Sequence, residues 1–514
     1  MRRFQLAIAL LSFAAPAGAH MGLHLLGHSD AAAPREWNGD PIAILASLRG
    51  LDATTEEAMR AQHDRVEAFR QERSAGLPRE TRESSWFADA DDELQVGIGV
   101  RDISPPKGCP LAGYGDRLKP VPFLYQPFAD PAYYSKLYKP NRGVRDPLFA
   151  KALVIDNGSR RVCLVGLDSV GLTQLIFEDV VARVRHLGLD RDALILGGSH
   201  THGGSGDAAD YMLWWFATAD IFDERIYDPM VDRVVQAIEA AVADLSPARL
   251  GVASDDDTRA LTRNRREGDT IVDPEIAVLR IDHPDGSPRA VVWNFAAHGT
   301  MVGSDNMRVT ADCHGYAERA LEDRLGPGLT AIFLNGTEGD VTPVGQGGRD
   351  DWEDSELWGN AMADVVESIR DGIVTSGEIS LSGAHIFVDL PDPYMRPAFF
   401  LEPPGPGYTK VGLDGLVEEN NTNFTGVRIG DAAFVSMPGE AITQIGLDIK
   451  SYGESIGLPA SYVVGLANGH LGYMTTREEY WQGGYESGAT FFGPETGEIM
   501  VNSAIQVLDL LAAP

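Results

Sequence analysis

Apolar and polar positions change period repeatedly along this chain, and most apolar runs end at glycine, proline, asparagine or aspartate. Leu94 to Ile103 alternates as a strand and stops at Ser104-Pro-Pro-Lys-Gly, a turn. Phe149 to Asp156 and Arg161 to Gly166 predict two strands joined through Asn157-Gly158, a hairpin signal. Ile276 to Ile281 and Ala290 to Phe295 predict a second pair across Pro284-Asp-Gly286. Further strands are expected at Arg249 to Ala253, Thr330 to Leu334, Gly383 to Leu390, Thr425 to Ile429, Ala432 to Ser436 and Ser461 to Leu466. Helical spacing marks Leu172 to Leu187, Met230 to Leu245, Tyr316 to Leu325, Trp358 to Ile369 and Ala441 to Tyr452. Strands and helices alternate without an internal repeat, which predicts one large mixed-sheet α/β domain. The Pro- and Gly-rich run Pro391 to Gly415 is too long for a plain connector and reads as a lid or substrate loop.

The first 92 residues have a different texture. Met1-Arg2-Arg3, the apolar run Phe4 to Ala15 and Ala17-Gly18-Ala19 form the three parts of a secretory signal. Cleavage is expected after Ala19, with Ala31-Ala32-Ala33 as second choice, and the address is secreted or periplasmic. Ile42 to Arg73 predicts one or two surface helices, with Asp52-Ala-Thr-Thr55 as a cap. The expected organisation is residues 1–19 as signal, 20–92 as helical extension and linker, and 93–514 as the main domain. His20, His24 and His28 read as scattered histidines rather than a metal-binding tail.

Composition narrows the function. With 44% hydrophobic and 23% charged residues among 514, the chain has ample material for a core. A net charge of −32 excludes a nucleic-acid partner, which needs a basic face. It gives no attraction to an anionic membrane either, so only transient membrane-surface contact stays open. After the signal, no stretch reaches the roughly 18 apolar residues of a membrane helix. Three cysteines (Cys109, Cys163, Cys313) allow one bridge at most, and their spacing excludes a cysteine-ligated zinc. Oligomeric state is not legible.

Candidate chemistry sits where apolar runs stop. Ala193 to Leu196 leads through two glycines into His200-Thr-His202-Gly-Gly, and imidazoles at i and i+2 share one side of extended backbone. Val291 to Ala297 ends at His298, Ala331 to Leu334 at Asn335-Gly-Thr-Glu-Gly-Asp340-Val-Thr342-Pro. Phe434 to Met437 ends at Pro-Gly-Glu440, and Val463 to Ala467 at Asn468-Gly-His-Leu-Gly-Tyr473. Strand ends are where α/β folds gather catalytic groups. His200, His298 and Glu440 would make a two-His, one-carboxylate zinc site with an open position. Each alone also has an ordinary structural explanation, such as a core histidine or a helix cap.

From about Val96 to Ile505 the chain resembles the neutral ceramidases, zinc-dependent amidases that cleave the acyl chain from sphingosine. The likeness rests on Gly97-Ile-Gly-Val-Arg-Asp-Ile, Ser199-His-Thr-His-Gly, Ala297-His298, Gly315-Tyr316-Ala, Asn335 to Pro343, Met437-Pro-Gly-Glu440, Tyr473 to Tyr480, Tyr485-Glu486 and Phe492-Gly-Pro. The resemblance implies Zn²⁺ on His200, His298, Glu440 and Tyr473. It implies that His202 handles protons and that Arg265 and Tyr485 contact substrate or the developing oxyanion. Thr342 stands where the family has serine, and His470 where it usually has tyrosine. The chain stops soon after the last motif, so the family's C-terminal immunoglobulin-like domain is expected to be absent.

The expected reaction is zinc-dependent hydrolysis of an amide in ceramide or another N-acyl compound by metal-activated water. His202 moves the proton, while Asp340 and Thr342 orient water or substrate. A zinc esterase, lactonase or carbamate hydrolase would use the same attack on a carbonyl and stays open. A non-catalytic secreted binding protein is opposed by the full ligand set. Absence of a GxSxG elbow argues against serine-hydrolase chemistry.

Overall fold

The computed structural model describes residues 35–37, 42–43, 53–74, 82–89, 93–119, 133–396, 409–413, 415–417 and 420–512. The expected signal, the three N-terminal histidines, Asp52 and residues 397–408 of the long loop lie outside the described residues.

Three mixed sheets share one apolar interior. The first runs in the order Leu194–Gly198, Arg161–Leu167, Phe149–Asp156, Gln95–Asp102, Ser246–Pro247. Only its pair at Leu194–Gly198 and Arg161–Leu167 is parallel. The second runs Thr330–Asn335, Pro288–Phe295, Glu275–Asp282, Arg249–Asp256, again with one parallel pair at its end. The third runs Glu83–Ala88, Leu381–Asp389, Asn421–Ile429, Ala432–Ser436, Ala460–Val464, with the last two strands parallel. Leu153 and Leu164 from the first sheet, Leu279 and Ile332 from the second, and Val427 and Phe434 from the third belong to one buried cluster. Central strands are buried on both faces, which is why they read as apolar runs rather than clean alternation.

Helices cover the outer faces. Glu224–Ala243 packs on Gln95–Asp102, and the approach is so close that a Cβ at Gly97 or Gly99 would lie 1.9 Å from a helix carbonyl. This accounts for the two glycines in the Gly-Ile-Gly motif. Asp312–Leu325 and Asp351–Gly372 cover the second sheet, and Thr443–Ser455 with Thr496–Ala512 cover the third. The helix at Glu224 begins before Met230, the start expected from spacing, and carries Pro229 inside it; Asp223 caps it through the Arg225 N–H. Asp312–Leu325 and Asp351–Gly372 likewise start before Tyr316 and Trp358, because polar first turns hide the period.

The helix Ala53–Ser74 lies at the surface, as expected, and docks through one stripe. It buries Met59, Val66 and Phe69 in the main core, at about 1.5–3 kcal/mol for each large apolar side chain removed from water. Glu83–Ala88, within the expected linker, is an edge strand paired antiparallel to Leu381–Asp389. The strand differs from the expected linker because a segment with few apolar positions looks external until the surface that receives it is known. The cysteines are all buried and free, so the bridge that composition allowed does not form.

Candidate metal centre

The parallel strand ends of the three sheets are stitched together by buried asparagines. Asn335 donates to Ser199 O at 3.1 Å and Ala297 O at 2.9 Å, fixing the loops that carry His200 and His298. Asn294 donates to Leu334 O, Asn335 O and Val463 O. Asn468 accepts from Leu196 N and donates to Leu194 O, binding the last loop to the first sheet. Each such bond is shielded from water, so the network fixes these ends rigidly.

Extended backbone was expected at the His-Thr-His segment. Instead His200 is left-handed, with φ of +64°, and Asn468 and Leu466 share that region at +61° and +52°. Strained backbone of this kind gathers where a site over-determines the chain. The His200 and His202 rings therefore meet edge to face, with centroids 4.9 Å apart, rather than side by side along a strand.

His200 Nδ1 donates to Val170 O at 2.6 Å, and His298 Nδ1 donates to Glu338 O at 2.7 Å. That choice of tautomer leaves both Nε2 atoms as lone pairs. Each Nε2 lies 3.3 Å from Glu440 Oε2, a buried oxygen without a hydrogen-bond donor. Burial, Arg265 and His200 push the His298 imidazole down to about 3. Burial alone would raise the Glu440 carboxyl, but the surrounding imidazoles hold it well below the carboxylate range. Two imidazole nitrogens and a carboxylate oxygen facing one point form a set that fits a divalent metal.

The remaining expected residues are close by. Tyr473 Oη is 3.2 Å from His298 Nε2, and burial pushes its phenol well above the usual range. Its strand, Tyr473–Met474, pairs in parallel with Glu440–Ala441, which sets the two side chains in register. Arg265 donates to Tyr473 Oη at 2.9 Å, Gly339 O at 2.8 Å and Glu486 Oε1 at 2.9 Å, and its Nη1 is 3.0 Å from His298 Nε2. The Tyr485 ring stands edge-on to Tyr473 at 5.2 Å and is 37% exposed, at the open side of the cluster. His202 turns Nε2 toward His200 Nε2 at 3.4 Å. Burial first, then His200, His298 and Arg117, hold its imidazole well below the usual range, so it is neutral.

Asp340 is tied to its neighbours through both oxygens. Its Oδ1 accepts from Thr443 N and Oγ1, and its Oδ2 from Asn264 Nδ2. Both oxygens are engaged, so the carboxylate braces the loop. Thr342 is half-buried on Val341–Pro343, the strand whose Val341 O accepts from His298 N.

Three further residues take part that pattern alone does not single out as site groups. His470 Nε2 lies 3.4 Å from Glu440 Oε1, on the opposite oxygen from His200 and His298. Glu338 joins His200, His298 and Glu440 in a buried group whose donor atoms all lie within 4.8 Å of one another. Gly113 abuts His202: a Cβ there would sit 2.3 Å from the ring. His470 was visible in sequence as a departure at a motif position; Glu338 and Gly113 carried no signal beyond ordinary turn residues.

A family model described as neutral/alkaline non-lysosomal ceramidase, N-terminal, matches residues 132–357 and 416–502. The neutral ceramidase of Pseudomonas aeruginosa is 26% identical over 460 residues, covering 71% of this chain and 67% of that protein. Neutral ceramidase B of Dictyostelium discoideum is 25% identical over 536 residues, covering 80% and 71%. A solved structure of the Pseudomonas aeruginosa neutral ceramidase superposes with a TM-score of 0.69 at 22% identity, over 82% of this chain and 75% of that one. A structure of a ceramidase complexed with C2 gives the same TM-score at 21% identity. The structural likeness shows a shared fold, and the family match spans more than half of the chain. This chain belongs to the neutral/alkaline non-lysosomal ceramidase family.

Proposed function

We propose that this protein is an exported, zinc-dependent amidase that cleaves the N-acyl bond of ceramide or a closely related N-acyl lipid. One observation carries the reading: the Nε2 atoms of His200 and His298 each lie 3.3 Å from the unpartnered Oε2 of Glu440, beside a neutral His202. The names of the relatives, all neutral ceramidases, support the substrate class.

His200, His298 and Glu440 would hold the ion, with Tyr473 at its edge. When bound, zinc supplies Lewis acidity for a carbonyl and lowers the pKa of water. His202 Nε2, neutral and aimed into the cluster, accepts the proton of the attacking water and returns it to the leaving nitrogen. Tyr485, partly exposed beside Tyr473, contacts the carbonyl oxygen of the substrate. Arg265 holds Tyr473 in place through its bond to Oη and fixes the floor through Gly339 O.

The test is a matched panel: a ceramide, an N-acyl amine without the sphingoid base, and the ester analogue of the same acyl chain. The expected result is fatty acid and free base released in equal amounts, fastest from ceramide. Hydrolysis of the ester with the amides untouched would overturn the amidase reading.

A further inference from the structure

The loop Asn335-Gly-Thr-Glu-Gly-Asp carries a carboxylate that the proposed reaction leaves unused. Glu338 is wholly buried, and neither of its side-chain oxygens has a hydrogen-bond partner among the described residues. A buried carboxyl without donors is costly, so it needs a specific reason to be kept. Its surroundings are crowded: a Cβ on Gly465 would lie 2.8 Å from Glu338 Oε2, so that glycine is what makes room for it.

What Glu338 does face is the cluster. One of its oxygens lies within 4.8 Å of the ligand atoms of His200, His298 and Glu440. Two donors on opposite sides of one ion, each about 2.0–2.2 Å from it, are about 4.0–4.4 Å apart. The four atoms thus reach a common ion with shifts of a few tenths of an ångström. The backbone of Glu338 is already tied to the site, because its carbonyl orients His298. One residue would then serve the centre twice, through its carbonyl and through its side chain.

We propose that Glu338 is a further oxygen donor to the metal held by His200, His298 and Glu440, making this centre richer in carboxylate than a two-imidazole, one-carboxylate site. The inference rests on the metal reading above. A second carboxylate favours oxygen-preferring ions, so the site gains more affinity for Mn²⁺ than for Zn²⁺ from this residue.

The experiment uses the full chain, stripped of metal and titrated separately with Zn²⁺ and Mn²⁺ against a chelating indicator. Glu338→Gln keeps volume and removes charge; Glu338→Asp keeps charge and withdraws the oxygens by one methylene. Glu440→Gln is the reference for loss of a ligand, and circular dichroism reports folding. The expected result is weaker binding of both ions in both Glu338 variants, by about 10- to 100-fold for Zn²⁺ and by more for Mn²⁺. Wild-type affinity and unchanged Zn²⁺/Mn²⁺ preference in either folded variant would overturn the assignment and leave Glu338 a neutral buried acid. Loss of metal on Glu440→Gln with none on Glu338→Gln overturns this inference alone. A wild-type chain that binds neither ion overturns the metal reading as well.

Discussion

Gly113→Ala separates proton handling from metal binding without touching any ionisable group. His202 Nδ1 is buried without a hydrogen-bond partner among the described residues, so packing sets the ring's position. Tyr114 stands on one side, with ring centroids 4.4 Å apart, and the bare Cα of Gly113 on another. An alanine Cβ would meet His202 Cγ, Nδ1 and Cδ2 at 2.3, 2.4 and 2.7 Å. Carbon contacts settle at about 3.5–4.0 Å, so the ring must withdraw by about 1 Å. Gly113 also has φ of +93°, which adds about 1–3 kcal/mol of backbone strain for any other residue. A domain stable by about 5–15 kcal/mol survives that loss. A displacement of about 1 Å costs about 10²-fold in rate. Removing the imidazole altogether, in His202→Ala, sets the limit at about 10²–10⁴-fold. His200, His298 and Glu440 are tethered by other contacts, so metal content should be unchanged in both variants. The assay is fatty-acid release under saturating substrate, beside metal analysis of the same sample. A folded Gly113→Ala variant with wild-type turnover would refute the placement of His202. Loss of metal in either variant would mean that His202 is a ligand and not a proton carrier.

Thr342→Ala should slow turnover by about 10- to 150-fold, the value of one positioning hydrogen bond of about 1–3 kcal/mol, with Thr342→Ser near wild type. An acyl group trapped on Thr342 and seen by intact-mass analysis during turnover would contradict that positioning role. Intact mass of the native protein should place its N-terminus at or near His20, and retention of Met1 would rule out the secretory signal.

Much of the site is legible in the sequence because its chemistry sits at the ends of apolar runs. His200, His298 and Glu440 stand at three such ends and the sheets bring them together, while Tyr473, singled out only through the family resemblance, lies beside them. Burial of a polar loop residue is not legible in the same way. Glu338 and Asp340 are two residues apart in one turn, yet the first is donorless and the second takes three hydrogen bonds. Only the tertiary neighbours Thr443, Asn264 and Gly465 distinguish them. The left-handed His200 is hidden for a similar reason, since a non-glycine residue gives no local sign that contacts elsewhere will hold it at positive φ. The helix Thr496–Ala512 is absent from the expected elements, although Met500, Ala504, Val507, Leu508 and Leu511 fall on one face.

The central claim is that one divalent ion, held by His200, His298 and Glu440, is required for hydrolysis. Metal analysis of the purified chain, before and after exhaustive chelation, with amide turnover measured on each sample, tests it directly. The account predicts about one zinc per chain, loss of turnover with loss of zinc and recovery on its return, and lower occupancy in His298→Ala and Glu440→Ala. Undiminished amide hydrolysis in a sample shown to be free of metal would contradict it.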